Sequence, residues 1–273
     1  MAVTGNSLPQ TRLDIRAPDG STFTTFYVAS GGGFLDTRTL PATGTYTLAI
    51  DPSGGSATTI TVTAYDVPPD AMATAVPGGG AAAIPLTVPG QNGAVSFPGS
   101  AGQRVSFKLA MSLSARVAVL RPDGTTLLSA IAGGDTFLDV TTLPATGTYT
   151  MSVDPLDAAT GAVSVTVYDV PPDVTGTIVQ GGAGLAAAMP VPGQGGAISF
   201  NATAGQSLVL NLSQVTVPIM RVSVLRPDGT VLMSPSWVLG STSFVLTAPV
   251  AGGYTIVLDP YTGYTGSATV SLL

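Results

Sequence analysis

Two pairs of aspartates, Asp66 with Asp70 and Asp169 with Asp173, stand on either side of a Val-Pro-Pro bend. Hard carboxylate oxygens held at a stiff bend are the donor type that Ca²⁺ takes. The spacing is not that of an EF-hand, and Asp beside Pro or Gly commonly caps a turn through its own side chain, so turn capping is the favoured reading. The same reading covers Asp19, Asp123 and Asp228, each in a Pro-Asp-Gly turn. Paired aspartates also serve glycoside or peptide hydrolysis, but that chemistry needs two carboxylates converging in a cleft with separated pKa values. Here the recurring carboxylates lie in turns, and no catalytic residue is assigned. Lys108, the single lysine, sits on an alternating segment with the parity of a solvent-facing residue. Tyr65 and Tyr168 adjoin the Pro-Pro bends, where an aromatic stacks on a sugar or on a neighbouring domain. Trp237, the only Trp, is either an exposed platform for a ligand or a core residue. Tyr65, Tyr168 and Trp237 are therefore the candidate ligand or interface contacts. No cofactor is called for, with Ca²⁺ at the aspartate pairs as the one alternative. Tyr46, Tyr149 and Tyr254 share parity with apolar neighbours and are expected to pack inward with the hydroxyl on backbone.

What must position these residues follows from composition. The 273 residues contain no His and no Cys, and all 15 acidic residues are Asp. Disulfides, thiolate nucleophiles, His or Cys metal ligation and His-dependent triads are thereby excluded. Glu is absent and Lys nearly so, while Thr, Val, 34 Gly and 22 Pro favour strands and turns. The expected class is all-β. The net charge of -6 offers no basic stripe for phosphates, so nucleic acid and anionic membranes are not expected partners. No apolar run is long enough for a transmembrane helix. The first ten residues show no secretory leader, yet the Cys-free, Thr-rich composition suits an extracellular or cell-surface protein.

The chain repeats itself at intervals of about 104 residues, the size of one domain. Pro18-Asp19-Gly20 returns as Pro122-Asp123-Gly124 and Pro227-Asp228-Gly229. Gly44-Thr45-Tyr46 returns as Gly147-Thr148-Tyr149 and Gly252-Gly253-Tyr254, each followed by Asp-Pro at 51, 154 and 259. Val88-Pro89-Gly90-Gln91 returns as Val191-Pro192-Gly193-Gln194. Between these anchors the apolar period is two: Tyr149, Met151 and Val153 alternate with Thr148, Thr150 and Ser152, and Val105, Phe107 and Leu109 with Ser106 and Lys108. Strands apolar on one face, separated by Gly/Pro/Asp turns, predict tandem antiparallel β-sandwiches of jelly-roll-like form. The Ala-rich stretches at 81–83 and 185–188 are too short for independent helices. With boundaries at the Pro-Pro pairs, the expected domains are residues 1–68, 69–171 and 172–273, joined by semi-rigid linkers.

Arg12 aligns with Arg116, so Met1 falls near Val105 and the first domain lacks the counterpart of residues 70–104. A sandwich short of its opening strands leaves core and sheet edge open. Either the sequence boundary cuts through a longer repeat array, or a neighbouring chain or second copy completes the domain by strand addition.

The succession LRPDGT, FLD, TLPATGTYT, VDP, TVYDVPPD, VPGQ and AGQRVSF, best seen from Ala101 to Asp173, resembles the pre-peptidase C-terminal-like (PPC-like) β-sandwich repeats of bacterial secreted and surface proteins, including those attached to RHS/YD-repeat polypeptides. The resemblance implies a sandwich fold and an accessory extracellular role. The third domain departs from it, with Ser243-Phe244-Val245 in place of Phe-Leu-Asp, which weakens any role for Asp36 and Asp139. The expected function is a non-enzymatic structural one: a tandem-repeat stalk, or a self-assembling surface or filament subunit using strand addition at the incomplete first domain. Its expected partner is a second copy or neighbouring chain. The alternatives are a carbohydrate-binding or adhesive module facing polysaccharide, and an accessory array of a larger secreted protein.

Overall fold

The computed structural model describes residues 1–55 and 57–273, and its secondary structure is β throughout apart from two single 3₁₀ turns. Residues 1–68 form β1 (Ala2–Thr4), β2 (Gln10–Arg16), β3 (Thr22–Ala29), β4 (Gly32–Phe34), β5 (Thr47–Pro52) and β6 (Thr61–Thr63), hydrogen-bonded in the order β5-β2-β3-β4-β1-β6. The next segment forms β7 (Ala71–Thr74), β8 (Ala82–Leu86), β9 (Gly93–Gly99), β10 (Arg104–Leu120), β11 (Thr126–Thr142), β12 (Gly147–Pro155) and β13 (Gly161–Asp169), in the order β7-β9-β12-β10-β13-β8 with β11 also on β10. The last comprises β14 (Val174–Thr177), β15 (Leu185–Met189), β16 (Gly196–Ala202), β17 (Ser207–Ser213), β18 (Met220–Leu225), β19 (Val231–Val238), β20 (Thr242–Thr247), β21 (Gly252–Pro260) and β22 (Gly266–Leu272). We call these units 1, 2 and 3.

The Ala-rich stretches become β8 and β15, because alternation there puts Ile84 and Leu86, or Ala187 and Met189, into the core. The ladders are antiparallel except for β7 with β9 and β14 with β16, which run parallel. The 17 residues of β10 serve both halves of unit 2: Val105–Met111 pair with β13 and Ala115–Leu120 with β12. Unit 3 has two extra residues and Pro218 at that crossing, and Pro cannot donate to a ladder. The corresponding strand is accordingly split into β17 and β18, and the sheets separate into β14-β16-β21-β18-β19 and β15-β22-β17-β20.

Units 2 and 3 each enclose a dense core. Phe97 stacks on Tyr149 and meets Phe107 edge-on, and Phe200 stacks on Tyr254. Among the described residues, the core of unit 1 comprises Val3, Leu13 and Val28, with Phe26, Leu48, Ile60 and Val62 partly covered.

Candidate functional site

The strand pairing locates what unit 1 lacks. In unit 2, β12 lies between β10 and β9, and β13 between β10 and β8. Unit 3 repeats this with β21 between β18 and β16, and β22 between β17 and β15. The counterparts in unit 1, β5 and β6, end their sheet on both sides, with no strand beyond them among the described residues. On its other side β5 keeps the register of its counterpart: Thr11 opposite Pro52 and Arg16 opposite Thr47 correspond to Ala115 opposite Pro155 and Leu120 opposite Thr150.

The core positions beneath the missing strands are open. Leu40 is 56% exposed where Leu143 is fully buried, and Ile50 is 45% exposed where Val153 is 1% exposed. Leu40 lines a cleft of about 550 Å³ together with Met1, Ile15, Phe23, Tyr46, Leu48 and Tyr65. Tyr46 makes the expected corner, donating its hydroxyl to Ala42 O at 2.9 Å, as Tyr149 does to Ala145 O and Tyr254 to Val250 O. It meets Phe23 edge-on, and no stacked Phe covers it as Phe97 and Phe200 cover its counterparts. Burying apolar area is worth roughly 25 cal/mol per Å², so covering these side chains with a further strand is favourable.

A second feature recurs at the junctions. The Val-Pro-Gly-Gln loop of each complete unit docks on the unit before it. Thr37 Oγ1 donates to Gly90 O at 2.6 Å, and Ser106 Oγ donates to Pro192 O at 2.7 Å. A Cβ on Gly90 would lie 2.7 Å from Thr37 Oγ1, and its φ of +86° is one that side-chain-bearing residues rarely adopt. The glutamine braces the loop: Gln91 Nε2 donates to Pro69 O and Gln194 Nε2 to Pro172 O. At the second junction Arg104 adds a bond to Pro171 O and an ion pair with Asp173 at 2.7 Å. Asp173 also accepts from Gly195 N, and Asp169 accepts from Gln103. Asp173 is thus engaged across the junction and Asp169 within unit 2, and among the described residues no three acidic side chains gather into a metal-sized cluster.

The junctions also bring acids toward one another. Burial pushes the Asp154 carboxyl above the ordinary carboxylate range, and Asp36 of unit 1 adds to the shift. Burial likewise raises Asp259, against the opposing pull of Arg221, with Asp139 of unit 2 adding to the rise. Asp36 and Asp139 occupy equivalent places in two junctions.

The candidate aromatics are not brought together. Tyr65 is half-buried in the cleft of unit 1. Tyr168 is half-buried at the second junction, beside Lys108, Phe137, Pro192 and Tyr264 around a hollow of about 400 Å³. Lys108 is exposed there. Trp237 lies on β19 of unit 3 and is 54% exposed, so the core alternative does not hold. Its ring meets Tyr261 edge-on at 5.0 Å and carries the Arg221 guanidinium at 5.5 Å.

No family model matches the chain, and no curated protein matches it. Solved structures similar to it include the pre-peptidase C-terminal domain of a collagenase from Bacillus anthracis, at 10% identity and a TM-score of 0.30, covering 37% of this chain and 97% of that one. PliG of Aeromonas hydrophila, a periplasmic inhibitor of g-type lysozyme, matches at 17% identity and a TM-score of 0.28, covering 36% of this chain and 98% of its own. The Clostridium perfringens ZmpB structure, an M60 catalytic domain with two CBM51 domains, matches at 7% identity and a TM-score of 0.25, covering 71% of this chain and 34% of that one. None of these likenesses assigns an activity to this chain. The β-sandwich description rests on the ladders and cores above.

Sequence reasoning placed the junctions at the Pro-Pro pairs and did not recognise the Val-Pro-Gly-Gln loop as a docking element. No helix among the described residues is long and apolar enough to cross a membrane.

Proposed function

We propose that this chain is a non-enzymatic extracellular structural protein, a stalk or assembling surface subunit built from stacked β-sandwiches, whose first unit accepts a strand from a neighbour. The observation that carries this reading is the coincidence of two unpaired edges, β5 and β6, with an uncovered core in unit 1, at the positions where units 2 and 3 are closed by their own strands. The repeated loop contacts between units support a spacer with restricted bending. Electron microscopy of the purified chain over a concentration series tests it: end-joined particles or filaments that increase with concentration are expected. Uniform monomers at every concentration would overturn the assembly reading.

A second reading has one specific observation in its favour. Trp237, exposed and flanked by Tyr261 and Arg221, has the form of an aromatic platform for a sugar ring. On that reading the chain binds polysaccharide, and Trp237→Ala abolishes retention on a glycan array. Equal retention of both proteins, or none by either, sinks it.

A further inference from the structure

The two complete units state what a strand must look like to close a unit of this repeat. In unit 2, β9 runs antiparallel to β12 with Gly93 opposite Val153, Val95 opposite Met151 and Phe97 opposite Tyr149. In unit 3, β16 repeats the arrangement with Gly196 opposite Leu258, Ile198 opposite Ile256 and Phe200 opposite Tyr254. The residues at the same places on β5 are Ile50, Leu48 and, just before the strand, Tyr46. The small residue has a physical reason in the facing strand: a Cβ on Gly196 would lie 3.2 Å from the side chain of Leu258, the counterpart of Ile50. The aromatic has another, since Phe97 and Phe200 cover the tyrosine face with ring centroids 5.6 and 5.3 Å away.

We propose that the open edge of β5 and the adjoining cleft take an extended segment of the pattern Gly-x-(Val/Ile)-x-Phe, supplied by a neighbouring polypeptide. It lies antiparallel to β5, with its glycine opposite Ile50, its branched residue opposite Leu48 and its phenylalanine on the ring of Tyr46. This inference rests on the strand-acceptor reading above and gives the occupant its chemistry. A small apolar ligand fills the cleft but leaves the row of backbone N–H and C=O groups on β5 unpaired, whereas a strand satisfies both. The pattern also sets specificity, because main-chain bonds accept any extended segment and the alternate side chains select among them.

The test uses the whole chain and a peptide with the sequence of residues 91–103. Amide hydrogen exchange of residues 47–52 is followed as peptide is added, and compared with a peptide carrying Phe97→Ala. A variant chain with a copy of residues 70–103 placed ahead of Met1 presents the same strands covalently, which removes weak peptide affinity as an explanation for failure. The expected result is slowed exchange at 47–52 by the peptide, a roughly tenfold weaker effect for the alanine version, and the same protection in the variant chain. Protection in the variant chain, with none from the peptide and none on self-assembly at high concentration, overturns supply by a neighbour and makes the closure internal. No protection in either overturns the assigned pattern. In that event, protection of 47–52 on self-assembly at high concentration leaves strand addition standing with a different occupant, and its absence takes both readings down.

Discussion

Gly147 illustrates how recurring sequence anchors become contacts. Its φ is +155°, and a Cβ there would meet Pro122 Cγ at 2.7 Å; Gly44 lies against Pro18 and Gly252 against Pro227 in the same way. The Pro-Asp-Gly turn and the Gly-Thr-Tyr corner recur together because they touch. Gly147→Ala should therefore destabilise unit 2 by roughly 2 kcal/mol or more, read from denaturant unfolding, combining backbone strain with a clash. Asp154 carries a different prediction. Its carboxyl is raised by burial and by Asp36, so the folded state disfavours the charged form. The stability linked to it is present below the ordinary Asp range and is lost as pH rises through the raised value. Asp154→Asn should thus raise stability at neutral pH and flatten the melting profile between acidic and neutral pH. An unchanged profile would show that Asp154 is not coupled to folding. The exposed turn aspartates act with the opposite sign: Asp19, Asp123 and Asp228 are held below the usual range first by the hydroxyl of Ser21, Thr125 or Thr230. Their contribution is present near neutrality and is lost on acidification.

At the scale of elements, the junction loop makes its own prediction. Ser106→Ala removes the donor to Pro192 O, a bond worth about 1 kcal/mol, while leaving the core of unit 2 intact. Faster amide exchange in residues 191–194, with an unchanged unfolding midpoint for unit 2, is the expected outcome. Much of this level was legible in the sequence. Alternation at Tyr149, Met151 and Val153 fixes which face is buried, and all three are buried. The open edges follow from aligning Arg12 with Arg116. What was not legible depends on partners far along the chain. Val-Pro-Gly-Gln reads locally as a turn, and its docking on Thr37 or Ser106 requires knowing which surface the preceding unit presents. The parallel pairing of β7 and β9 leaves no mark on alternation, since a strand's own period is two in either orientation. Trp237 follows Met233-Ser234-Pro235-Ser236, a stretch whose polar and apolar positions set no clear parity. The departure of unit 3 at Asp36 and Asp139 acquires a setting from the structure: both acids lie near an acid of the unit that follows, and Val245 of unit 3 is exposed.

On the scale of the whole molecule, β5 on β2, β12 on β10 and β21 on β18 form the same ladder in the same register, so the chain contains its own control. Strand β5 and residues 150–155 of β12 differ chiefly in whether a further strand lies alongside. Amide hydrogen exchange of the dilute chain, followed residue by residue, compares them directly. The account predicts that residues 47–52 exchange orders of magnitude faster than residues 150–155 in dilute monomer and slow markedly when concentration drives assembly. Equal protection of the two segments in a strict monomer would contradict it, because unit 1 would then be closed without any added strand.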